Sequence, residues 1–134
     1  MQRRNVLKTL AAGAITILLP GRSFGAVLAH GNDIALRCLG ERPGPRYLDG
    51  RTHEGTVGLA PKTGKPFTGT KWKVYRGSEG GLWLQCRGHI DGPRWLDGRT
   101  HDGTVGLAPT TDAPFTGTRW EVQRYPVCID EPCP

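Results

Sequence analysis

Apolar residues fall on alternate positions in stretches of about five, and turn-forming residues separate the stretches. In Leu82-Trp83-Leu84-Gln85-Cys86, residues Leu82, Leu84 and Cys86 share one face of an extended chain, and Ile34, Leu36 and Cys38 repeat the pattern. This period of two predicts short, half-buried strands. A second segment, Arg-Tyr/Trp-Leu-Asp-Gly, points Leu48 and Leu96 inward. A turn Thr-His-Glu/Asp-Gly follows, where Gly55 or Gly103 takes a positive φ at little cost. Val57 with Leu59, and Val105 with Leu107, mark a third strand. After a loop of Pro, Thr and Gly, Trp72 with Val74, and Trp120 with Val122, face one way in a fourth. The pattern predicts four short strands per unit and about eight in all.

The unit occurs twice. Segments 34–76 and 82–124 align without a gap at an offset of 48, with 28 identities in 43 positions. The joint between them, residues 77–81, reads Gly-Ser-Glu-Gly-Gly, a flexible composition. The expected organisation is a leader over 1–29, a two-repeat β domain over 30–126 and a Cys-containing tail over 127–134. Glycine (20) and proline (11) together make up nearly a quarter of the 134 residues, which excludes a helical bundle and favours strands joined by tight turns. Neither follows a three-residue period, which excludes collagen.

Residues 1–29 begin basic, pass through the apolar stretch Ala11–Leu19 and a Pro20–Gly21 turn, and end in small residues. This is the three-part form of a bacterial signal peptide, and the apolar run is too short for a membrane anchor. Arg3-Arg4-Asn5-Val6-Leu7-Lys8 resembles the twin-arginine (Tat) export signal. Small residues allow cleavage after Gly25 or after Ala29, so the exported chain is expected to start at Ala26 or His30, in the periplasm or outside the cell. Four of the 18 basic residues and none of the 12 acidic ones precede residue 30, leaving 14 against 12 and a charge of +2. The overall +6 is therefore mostly a property of the leader, and a nucleic-acid partner, which needs a basic stripe, is not expected.

An exported small domain with four cysteines, Cys38, Cys86, Cys128 and Cys133, is expected to form disulfides. Three pairings are open. Cys128 and Cys133 could close a local loop, Cys38 and Cys86 could meet near a twofold axis, or the tail could be stapled to the repeats. The competing reading of Cys38 and Cys86 is two buried free thiols on strand inner faces. No Cys-x-x-Cys pair with a matching second pair points to zinc.

Leu-Asp-Gly-Arg-Thr-x-x-Gly-Thr-Val-x-Leu followed by Thr-x-Trp-x-Val, over residues 34–124, resembles one lobe of a β-trefoil of the ricin-type lectin kind. The resemblance implies an all-β fold of two tandem four-stranded β-trefoil-like repeats forming one barrel or sandwich. It also implies that Asp49 and Asp97 match the lectin's sugar-binding carboxylate. The chain differs from that family in having two lobes where trefoils close from three. Thr70 and Thr118 replace the Gln before the lobe-ending Trp, and Ala60 and Ala108 occupy the position of its stacking aromatic. Two lobes leave strand edges open. The expected remedy is isologous pairing of the two copies into a pseudo-twofold barrel or sandwich, with assembly of several chains or cover by the tail as the other routes.

The longest shared block surrounds Leu-Asp-Gly-Arg-Thr-His, residues 48–53 and 96–101. Read as a ligand site in each lobe, it offers Asp49 and Asp97 as acceptors for two sugar hydroxyls. Arg51, His53, Arg99 and His101 serve as donors, and Tyr47 and Trp95 as aromatic faces. The scaffold reading has Asp-Gly as turn chemistry and Arg–Asp as a loop tie. Trp72 and Trp120 read as core. Trp83 lies opposite Leu82 and Leu84 and reads either as a contact patch or as packing against the tail or a partner. No nucleophile elbow, phosphate loop or recognisable carboxylate pair points to an enzyme, and no metal or cofactor is expected. The leading expectation is a small exported lectin-like module that gains avidity from two equivalent sites, as monomer or homo-oligomer. The alternative is a protein-interaction or inhibitor module of the cell envelope, and a third reading is a purely structural repeat.

Overall fold

The computed structural model describes residues 25–123, so the leader up to residue 24, Cys128, Cys133 and the rest of the tail lie outside the described residues. The strands are β1 (Asp33–Ile34), β2 (Tyr47–Arg51), β3 (Thr56–Ala60), β4 (Trp72–Arg76), β5 (Leu82–Cys86), β6 (Trp95–Arg99) and β7 (Thr104–Ala108). They form one all-antiparallel sheet in the order β1-β4-β5-β6-β7-β3-β2, curled into a half-barrel. After leaving β4 at Ile34, the chain runs on along β2, where Leu48 N donates to Leu36 O (2.9 Å) and Cys38 N to Arg46 O (2.7 Å). The segment 33–38 thus ties the two ends of the sheet together.

The strands follow the alternation in the sequence. In β5, Leu82, Leu84 and Cys86 are buried, and Trp72 and Val74 of β4 face them with no exposed surface. Leu96 and Leu107 complete the core, with Leu28, Ile34, Leu48, Val57 and Trp120 packed around it. Each indole donates back to its own repeat: Trp72 Nε1 to Leu48 O (3.1 Å) and Trp120 Nε1 to Leu96 O (2.9 Å). The turn glycines Gly55 and Gly103 have φ of 73° and 76°, as the turn chemistry predicts.

Seven strands form among the described residues, not eight. In repeat 1 the fourth strand, β4, pairs over five residues with β5, the first strand of repeat 2. The matching segment of repeat 2 keeps one bridge, between Trp120 and Leu82, and Val122 is exposed. Likewise β1 has two residues where β5 has five. The fourth segment of repeat 1 is paired by the first strand of repeat 2, whereas the fourth segment of repeat 2 has no following repeat to pair it among the described residues.

The contact between repeats is consequently directional, not isologous. Thr56 of repeat 1 pairs with Gly106 of repeat 2, and Leu107 N donates to Gly55 O (3.0 Å). The reciprocal pairing of Thr104 with Gly58 is absent among the described residues. Cys38 and Cys86 do not meet near a twofold axis and are not bridged: Cys38 is exposed and Cys86 is buried. The Cys86 thiol contacts Gly50 O (3.7 Å) and Gly69 O (3.5 Å) of repeat 1, and burial pushes its pKa up. A Cβ at Gly50 would lie 2.6 Å from the Cys86 sulfur, so this seam requires glycine. The inner-face reading therefore holds for Cys86 and fails for Cys38.

Trp72 anchors both repeats at the seam, so Trp72→Ala is expected to cost about 3–5 kcal/mol, and Trp72→Phe, which loses mainly the indole hydrogen bond, about 1–2 kcal/mol. Urea unfolding of the two variants checks the order; equal costs would contradict it.

Candidate functional site

Asp49 and Arg51 project from the same face of β2, because their positions differ by two. The turn Pro66–Gly69 folds down over this face. Gly69 makes the close approach feasible, since a Cβ there would lie 2.5 Å from Asp49 Oδ1 and would collide with Gly50 O. Together they enclose a cavity of about 320 Å³. Asp49, Arg51 and His53 line one side, Phe67 and Thr68 another, and Gly88 and Ile90 of repeat 2 close the end. In repeat 2 the matching cavity, about 450 Å³, holds Asp97, His101, Pro114, Thr116 and Gly117, with Trp120 and Glu121 at its edge. Among the described residues its end wall has no counterpart of Gly88 and Ile90.

The carboxylates are the chemically unusual element. The Asp49 side chain is 13% exposed and that of Asp97 11%. The nearest cation to each is the arginine two residues on, with Arg51 Nε 3.8 Å from Asp49 and Arg99 Nε 3.8 Å from Asp97. That distance is an ion pair without a hydrogen bond. Among the described residues neither carboxylate receives a hydrogen bond. Burial raises the Asp49 pKa, and Arg51 pulls it back only in part. A largely buried carboxylate with vacant acceptor sites calls for a donor from elsewhere.

The other candidates have different surroundings. Arg51 lies across Gly58, and Arg99 across Gly106, so closely that a Cβ on either glycine would meet the guanidinium at 2.5 Å. Arg99 does not line the second cavity. His53 and His101 are exposed beside Glu54 (3.3 Å) and Asp102 (3.6 Å). Asp102 also accepts from Thr104 Oγ1 (2.6 Å), which lowers its pKa, and Glu54 accepts from Thr56 Oγ1 (3.0 Å). These acids shape the hairpin turns.

Tyr47 and Trp95 do not line the cavities. Trp95 packs on Tyr75 (ring centroids 5.3 Å), which in turn meets His30 edge-on (5.6 Å). Trp83 is not a free outward platform: it is half-buried over the linker, where a Cβ on Gly77 would lie 2.7 Å from its ring. The aromatic ring that does face the first cavity is Phe67, which the sequence reading did not single out. Its signal is the run Pro-Phe-Thr-Gly-Thr, identical in both copies at 66–70 and 114–118. Among the described residues no group of three His, Cys, Asp or Glu side chains could hold a metal.

Comparison of the chain with protein-family models, with curated proteins and with solved structures found no match.

The raised Asp49 pKa carries a sign. The protonated form is favoured in the folded state, so the stability this group contributes is complete below its ordinary value of 3.8 and is lost as pH rises through the raised value. Asp49→Asn is therefore expected to raise stability at pH 7, by about 1 kcal/mol, and to make no difference below pH 3.8. Urea midpoints at the two pH values check this; a loss of stability at pH 7 would make Asp49 a scaffold residue.

Proposed function

We propose that this chain is an exported, lectin-like binding module that takes carbohydrate hydroxyls at Asp49 and Asp97. The observation that carries the reading is the pair of largely buried carboxylates, each open to a cavity and each without a hydrogen-bond donor among the described residues. A sugar presents adjacent hydroxyls that would fill both oxygens of one carboxylate, and Phe67 would meet the apolar C–H face of the ring. Thr68 and His53 add donors at the rim of the first site. The repeats are read as two β-trefoil-like lobes, supported by the four-segment order within each copy and the turn closing over Asp49 and Asp97. Two sites on one chain raise the strength of binding to a multivalent glycan.

The N-terminus is read as a twin-arginine leader, with the mature protein in the periplasm or outside the cell. Leu28 packs against the core, and Asn32 Nδ2 donates to Ala26 O (2.9 Å), which supports processing after Gly25 over processing after Ala29.

The test is glycan-array binding of the exported chain, whose intact mass also reports whether it starts at Ala26. Asp49→Asn with Asp97→Asn is expected to keep the fold and weaken glycan binding about tenfold or more, since each lost bond to a charged acceptor costs about 1.5–3 kcal/mol. Unchanged binding in the double variant, or no glycan bound by the parent chain, would overturn the reading.

A further inference from the structure

The seam between the repeats runs one way, and both of its halves are present a second time without a partner among the described residues. Repeat 1 presents an outgoing face to repeat 2: Lys71 O accepts from Arg87 N (2.8 Å), Thr68 Oγ1 from His89 N (3.1 Å), Gly55 O from Leu107 N (3.0 Å), and Thr52 Oγ1 donates to Ile90 O. Repeat 2 carries the same outgoing groups at Thr100, Gly103 and Thr116, with Arg119 in place of Lys71. Thr52 is buried in the seam, whereas Thr100 is exposed.

The incoming face of repeat 2 is likewise duplicated on repeat 1. Leu107 is 3% exposed and Leu59, its counterpart, 43%. Cys86 and Gly88 are buried, while Cys38 and Gly40 are exposed. Gly92 lies against Thr52, but Gly44, with nearly the same φ, has nothing within 4 Å. Leu39 stands 80% exposed beside this patch. The first strand is also three residues shorter than β5, and its outer edge has no neighbour here among the described residues.

We propose that the chain assembles head to tail with a second copy of itself, the incoming face of one copy's repeat 1 docking on the outgoing face of the other's repeat 2. The occupant is argued from continuity with the seam inside the chain, which already shows that these two faces fit. The outgoing Thr52, Gly55 and Thr68 recur as Thr100, Gly103 and Thr116, and the incoming Cys86, Gly88 and Leu107 as Cys38, Gly40 and Leu59; Arg87, His89 and Ile90, which meet repeat 1 through their backbone, become Leu39, Glu41 and Arg42. A head-to-tail contact between identical chains propagates until it closes as a ring. The contact also completes the second cavity. Gly88 and Ile90 close the first one, and the second copy would bring Gly40 and Arg42 to the same place beside Asp97. The segment that closes the second site would thus read Gly40-Glu41-Arg42, where the first has Gly88-His89-Ile90. The proposal holds whether or not the ligand is a sugar.

Light scattering of the purified chain at micromolar concentration tests it. The parent chain is expected at two or more copies. Leu59→Arg spoils the incoming face and Thr100→Arg the outgoing face; both positions are exposed, so each variant is expected to fold, to keep its circular dichroism spectrum and to run as a single copy. Mixing the two variants leaves one intact pair of faces and is expected to give a dimer with one copy of each. A parent chain that stays single, as it would if its own tail covered the patch, overturns the proposal. So does assembly that survives both substitutions, or a mixture that fails to pair.

Discussion

Everything in this fold depends on one seam, where the fourth strand of repeat 1 and the turn above it receive the first strand of repeat 2. The Cys86 thiol enters between Gly50 and Gly69, Trp72 packs against it, and β4 and β5 pair over five residues. Neither repeat carries a complete core. Trp72, Val74 and Thr52 of repeat 1 and Leu84, Cys86 and Leu107 of repeat 2 are buried where the two repeats meet. Two nearly identical sequences therefore end in different environments, because the seam has a direction and the sequence does not alternate to match it.

The seam also builds the first cavity. Asp49 is held by β2 and covered by the turn at Gly69, but the end of the cavity belongs to repeat 2. A ligand bound in this cavity would couple to folding through the same geometry. Burial makes the Asp49 carboxylate costly, and a ligand that donates to it would relieve that cost. The same carboxylate in repeat 2 stands in a wider cavity, so the two sites are equivalent in sequence and unequal in enclosure.

The alternation of apolar residues made the strands legible, and the positive φ of Gly55 and Gly103 followed from the turn residues. The inward positions Leu48, Leu96, Trp72 and Val74 were equally plain. What alternation does not encode is which neighbour covers an inward residue. Leu36, Leu59, Val105 and Val122 have core spacing and remain exposed, because nothing among the described residues covers their side chains. Asp49 and Asp97 were visible within the longest shared block, but their lack of donors is a three-dimensional fact. Phe67 was hidden for a different reason: its Pro-Phe-Thr-Gly-Thr run reads as a loop and gives no sign of folding over β2. Trp95 packs on Tyr75 across the sheet and Trp83 over the linker, neighbours that the spacing within one strand does not encode.

Residue-resolved hydrogen exchange tests the directional seam most directly, measured at a dilution where the chain is a single copy. The amides of Arg87 and Leu107 are bonded across the seam, to Lys71 O and Gly55 O, while their counterparts Leu39 and Leu59 have no such acceptor among the described residues. Strong protection at Arg87 and Leu107 with fast exchange at Leu39 and Leu59 is the expected result. Equal protection within both pairs would mean that the repeats face each other symmetrically, and the account would be wrong.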